Sequence, residues 1–112
     1  MLDHERLDAY QCALQFAAGA FRILEKLPRG HSELADQLKR ASISVPLNIA
    51  EGAGKTSVRE RARYHAIARG SAMECAAVID LLKLQRLIEP TEAEEAKALS
   101  VRLVSMLSKM CR

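Results

Sequence analysis

Leu7, Tyr10, Leu14, Ala17, Phe21 and Leu24 recur at steps of three, four, three, four and three residues. Apolar side chains repeating at about 3.5 residues mark helices packed side by side at a shallow angle, and no β-strand reproduces that period. The pattern returns in three more segments. Leu34, Leu38, Ala41, Val45 and Ile49 make a second seam, and Ala96, Leu99, Leu103, Met106 and Met110 make the last. Between them runs a longer seam of Ala62, Ala66, Gly70, Met73, Ala77, Leu81, Leu84 and Ile88, beside a second stripe of Ile67, Ser71, Cys75, Val78 and Leu82. A helix apolar on two faces has more than one neighbour to pack against.

The punctuation between the seams fits helices joined by short turns. Asp3 is placed to cap a first helix from about His4 to Leu27, which Pro28-Arg29-Gly30 stops. Ser32 stands at the N-cap position of a second helix, with Glu33 in its first turn. That helix runs to about Ala53, and Pro46 within it predicts a kink, because its ring cannot donate to the carbonyl of Ser42. Gly52-Ala53-Gly54 ends it, and Thr56 or Ser57 caps a third helix reaching about Ile88. Thr91 and Glu94 have the spacing of a capping box for the fourth. Short connections make successive helices antiparallel. The expectation is an all-α, up-and-down antiparallel four-helix bundle occupying residues 1–112 as one domain. Further apolar positions such as Ile23, Leu87, Val101 and Val104 exceed what so small a core needs, which points to a homo-oligomer.

Composition narrows the chemistry. No apolar run reaches the roughly 20 residues that cross a bilayer, and the mixed-charge start Met1-Leu2-Asp3-His4-Glu5-Arg6 is unlike a signal peptide. A cytoplasmic, membrane-free protein is expected. Cys12, Cys75 and Cys111 are odd in number and far apart, and His4, His31 and His65 lack ligand spacing, so neither disulfides, metal nor cofactor is expected.

Polar residues collect where the second and third helices meet. Asn48 borders the apolar seam, and Gly70, Ser71 and Glu74 lie within about a turn of one another on the third helix. A buried polar group left unpaired costs roughly 1–3 kcal/mol. Asn48, Ser71 and Glu74 are therefore expected to satisfy one another across the two helices, with Gly70 letting the backbones approach. The string Ser44-x-Pro46-x-Asn48-Ile49-Ala50-Glu51-Gly52, followed by Ala68-x-Gly70-Ser71-x-x-Glu74, resembles the four-helix bundle family of the 23S rRNA intervening-sequence proteins. That family includes the similar accessory variability determinants of diversity-generating retroelements. The resemblance covers the chain from Leu7 through the fourth helix. It implies a ring-shaped homopentamer with a basic surface, and, from the accessory members, nucleic acid and a reverse transcriptase as partners. One departure is the opening Arg61-Ala62-Arg63-Tyr64-His65-Ala66, where the family usually shows a Phe-rich turn.

Charge supplies the candidate site. Between Lys55 and Arg69 the cations Lys55, Arg59, Arg61, Arg63 and Arg69 face a single acid, Glu60, and Lys39 and Arg40 precede them on the second helix. These seven are the candidate nucleic-acid-binding residues; a merely solvated face is the plain alternative. With only Tyr64 among them to stack on a base, backbone contact should dominate. Gly52-Ala53-Gly54-Lys55-Thr56-Ser57 imitates a P-loop, but Ile49 stands where the first Gly belongs and the segment follows a helix rather than a strand. Two other classes stay open. Arg59 and His65 resemble the Arg-x(4–6)-His signature of HEPN-type ribonucleases, in which the pair would handle the proton and the phosphate charge. A protein-interaction scaffold, for instance an accessory subunit of a reverse transcriptase, would need the same exposed cations. The reading taken forward is a non-enzymatic, oligomeric bundle that binds RNA or DNA backbone.

Overall fold

Gly30 takes φ 98°, a left-handed turn conformation open to glycine without strain, and it reverses the chain between the first two long helices. The computed structural model describes residues 2–111, apart from the side chain of Arg6. It comprises a 3₁₀ turn, Asp3–Arg6, and helices α1 (Asp8–Lys26), α2 (Ser32–Ala53), α3 (Val58–Leu84) and α4 (Pro90–Met110), with no strand among the described residues. Each helix packs on its sequence neighbours, and α1 also packs on α4, so the four close into a square, antiparallel bundle of 43 × 25 × 22 Å.

The helix ends refine the expectations. The first helix does not run unbroken from His4: Leu7 is extended and divides the 3₁₀ turn from α1. His31, not Ser32, is the N-cap of α2, and Ser32 is its first helical residue. Ser57 does cap α3, its hydroxyl accepting from the Glu60 amide at 3.2 Å. The Thr91–Glu94 box does not form, because α4 already starts at Pro90 with Glu89 as N-cap. Proline suits that first position, where the amide would have no partner in the helix. Pro46 is buried, and α2 continues through it to Ala53. The α3 helix stops at Leu84 rather than Ile88: Arg86 turns left-handed at φ 57°, and the Leu87 and Arg86 amides donate to the Leu82 and Lys83 carbonyls. These are the two bonds of a Schellman ending, closed here by arginine rather than glycine.

The core differs in phase from two of the expected seams. In α1 the buried face is Ala9, Cys12, Ala13, Phe16, Ala17, Ala20 and Ile23; of the expected seam Ala17 is in the core and Leu7, Tyr10 and Leu24 pack against it, while Leu14 and Phe21 are exposed. In α3 it is His65, Ala68, Ala72, Cys75, Val78, Ile79 and Leu82, so the stripe through Cys75, Val78 and Leu82 is core, while Ala66, Gly70, Met73, Ala77, Leu81 and Leu84 of the longer seam face outward. Small residues on these inner faces let the helices approach closely, and the wide side chains of Phe16, Leu38, Ile49, Leu103 and Leu107 fill what remains. No helix among the described residues is long and apolar enough to cross a membrane.

Candidate nucleic-acid interface

The α2–α3 pair, the most extensive in the bundle, sets the geometry of the site. One side-chain hydrogen bond crosses between the two helices, and a second group of bonds within α2 supports it. Ser44 Oγ and Ser71 Oγ lie 2.8 Å apart, and Asn48 Nδ2 donates to the carbonyl and hydroxyl of Ser44 at 2.9 and 3.0 Å. Asn48 and Ser71 thus belong to one network, as expected, but Ser44 is the link between them. Glu74 is not part of it. Its side chain is on the outer face of α3, where water solvates the carboxylate, and it has no hydrogen-bond partner among the described residues.

Gly70 is not the close-approach glycine either, since a Cβ there would meet nothing within 4 Å. That role falls to Gly52. A Cβ on it would come within 2.8 Å of His65 Nε2 and 3.1 Å of Tyr64 Cβ, so α3 is seated against the bare backbone of the last turn of α2. The signal was legible in principle: Gly52 continues the α2 seam from Ile49 by three residues.

The turn between the helices organises the cations. Arg61 Nη1 donates to the carbonyls of Lys55 and Thr56 at 3.0 and 3.1 Å, tying the connection down with a charged side chain. Tyr64 is half-buried, and the Lys55 ammonium and Arg63 guanidinium lie 5.1 and 5.5 Å from its ring centre. Both distances fall within the roughly 6 Å over which a ring face attracts a cation. Lys55 also approaches Glu51 at 3.9 Å. Arg59 is exposed one turn before Arg63 on α3. Lys55, Arg59, Arg61 and Arg63 therefore gather at one end of the bundle.

The other three expected members stand elsewhere. Arg69 is half-buried and spends its Nε on Ser108 of α4 at 2.7 Å. Lys39 and Arg40 are exposed but lie well up α2, roughly 20 Å along the axis from Lys55 at about 1.5 Å per residue. The opposed pairs Ser44–Ser71 and Gly52–His65 show that α3 does not bring its basic end back to them. Contiguity in sequence charge was no guide here, because a straight helix spreads its residues apart.

Arg59 and His65 are not brought together. Arg59 is exposed, whereas His65 is in the core with both ring nitrogens buried and without a hydrogen-bond partner among the described residues. Six residues of helix turn through about 600°, which sets the two side chains on different faces. Burial disfavours the thiolate at two of the three cysteines, Cys12 and Cys75. Burial pushes Cys75 up to about 12, with the negative charge of Glu74 adding to it, and burial also raises Cys12 against the opposing pull of Arg102. Among the described residues no three His, Cys, Asp or Glu side chains gather into a metal site.

An antiparallel square of four helices with a serine–serine link across α2 and α3 and a basic turn at one end defines a class of small helical-bundle protein. The model of the 23S rRNA-intervening sequence protein family matches residues 5–109, and the chain belongs to that family. Its fold is similar to the crystal structure of a protein of unknown function from the S23 ribosomal protein family of Bacteroides thetaiotaomicron. The TM-score is 0.85 at 21% identity, over 93% of this chain and 98% of that one. A comparison with curated proteins finds no match.

Proposed function

We propose that this protein is a non-enzymatic homo-oligomer that binds the phosphate backbone of nucleic acid at the α2–α3 turn. The observation that carries the reading is the gathering of Lys55, Arg59, Arg61 and Arg63 at that end, on a turn held shut by Arg61 itself. A fixed turn presents its charges without first having to order them, and backbone binding needs little more than placed cations. The family's description refers to intervening sequences of 23S rRNA, which makes RNA the first ligand to try.

Self-association is supported by two apolar faces. The α1–α2 face carries Leu14, Phe21 and Leu47, around a groove floored by Ala17, Pro46 and Ala50. The α3–α4 face carries Met73 and Val101, around a groove that Ala76 and Val104 also line. Leu47 and Val101 are 63% and 62% exposed, too open for side chains that belong to an isolated bundle's core. Ring closure would repeat the basic turn once per subunit, and repetition converts a weak electrostatic site into avid binding. A pentamer is the subunit count that the family resemblance implies.

Replacing Arg59 and Arg63 by Gln tests the site, with binding of fluorescent structured RNA and duplex DNA titrated across salt. Two lost phosphate contacts should flatten the slope of log affinity against log salt by about 2 while the melting temperature holds. An unchanged slope would remove the turn as the binding surface. No binding by the wild-type protein at low salt would turn the search to a protein partner, such as a reverse transcriptase, on the same exposed faces.

A further inference from the structure

Tyr64 is the one aromatic residue of the basic turn, and it is the ring on which two cations converge. Lys55 reaches it from the loop and Arg63 from the adjacent position on α3. The residue that carries the ring is seated close against α2, because Tyr64 Cβ rests against the backbone at Gly52, where no side chain intervenes. Lysine in solution spreads its ammonium over many rotamers and forfeits that freedom when it grips an anion. Here the face of a seated phenol ring draws the ammonium in beforehand.

We infer that Lys55, Arg63 and Tyr64 form a phosphate clamp in which the ring positions the two cations and does not itself stack on a base. The inference rests on the nucleic-acid reading above and names the ligand chemistry of that site: a backbone phosphodiester bound between an ammonium and a guanidinium. Stacking is disfavoured by the same geometry, since a cation held over a half-buried ring occupies the space that a base would need. The clamp has a built-in competitor. Glu51 lies 3.9 Å from the Lys55 ammonium, and its charge opposes an arriving phosphate. Tyr64 is therefore a positioning residue, Lys55 and Arg63 the ligands, and Glu51 a brake on affinity.

The test uses a fluorescein-labelled RNA hairpin, with fluorescence anisotropy read at several potassium chloride concentrations. Tyr64→Leu should weaken binding about three- to tenfold, the scale of one cation–ring contact. Lys55→Gln should cost a similar factor and flatten the salt slope by about 1. The double variant should be weaker than Lys55→Gln alone by less than the full Tyr64→Leu factor, because with the lysine gone the ring acts only through Arg63. Tyr64→Phe should bind like wild type, since the ring and not the hydroxyl holds the cations. Full additivity of Tyr64→Leu with Lys55→Gln, or a loss in Tyr64→Phe equal to that in Tyr64→Leu, would overturn the clamp and make Tyr64 a direct contact. Glu51→Gln leaves the ring in place and decides the matter should Tyr64→Leu fail to fold: tighter binding supports the clamp, and unchanged binding overturns it. Failure of the wild-type protein to bind the hairpin at any salt concentration would instead bring down the underlying reading.

Discussion

His65 is a polar side chain in an apolar slot, and its chemistry is better explained by packing than by catalysis. It occupies the first position of the α3 core stripe, is 6% exposed, and presses against Gly52. Two buried nitrogens without partners cost free energy that an apolar side chain of similar volume would not. His65→Leu should therefore raise stability by about 1–2 kcal/mol, read as a rise of several degrees in thermal unfolding followed by circular dichroism. The same variant bears on the ribonuclease alternative, since RNA incubated with wild type and variant should stay equally intact. A fall in melting temperature would mean that the nitrogens find partners when copies assemble. Cleavage by wild type that vanished in His65→Leu would return the residue to an active site.

At the scale of the helix, the sequence shows the number and order of helices but leaves their rotation open. The 3-4-3-4-3 spacing in α1 is real, yet Leu14 and Phe21 lie outside while the alanine-rich stripe from Ala9 to Ile23 lies inside. In α3 the sequence carries one seam and one stripe, and the core buries Cys75, Val78 and Leu82 of the stripe and none of the seam, adding His65, Ala68, Ala72 and Ile79, which belong to neither. The cause is common to both helices. Where a helix is apolar on two faces, period alone does not choose between them; the face that admits closer approach does, and small residues are easily overlooked as core. The candidate site was legible to the same degree. The charges near the α2–α3 turn stood out, whereas Ser44 as the network's link and Gly52 as its contact point depend on which residues oppose each other across two helices. The two glycines turn this into a measurement. Gly70→Ala adds a methyl into open space in a helix interior and should stabilise by about 0.5–1 kcal/mol. Gly52→Ala drives a methyl into His65 and Tyr64 and should destabilise by about 1–3 kcal/mol. Urea unfolding separates the two. A loss at Gly70 would place a neighbouring subunit's backbone against that glycine, and a gain at Gly52 would mean that α3 is free to shift.

For the whole molecule, the arrangement of the apolar faces bears on how copies would meet. In the square packing α1 and α2 form one side and α3 and α4 the opposite side, so Leu47 and Val101 belong to different and opposed surfaces. A two-fold interface would join a face to itself and leave the other uncovered. Joining unlike faces covers both, and repetition of that join closes into a ring when the rotation permits. The head-to-tail arrangement makes a demanding prediction. Leu47→Glu spoils one face and Val101→Glu the other, so each variant alone should sediment as a monomer near the chain mass of 12.4 kDa. Mixed in equal amounts, they should form a heterodimer of twice that mass and nothing larger, because each partner keeps one intact face and the pair has no further intact pair of unlike faces to extend. A two-fold interface behaves differently: the variant with its pairing face untouched remains a dimer by itself, and mixing creates no new species. Binding follows the same logic. The monomeric variants retain every cation of the α2–α3 turn, so a loss of RNA affinity in them, partly restored in the mixture, would trace avidity to the repeated turn rather than to any one copy of it.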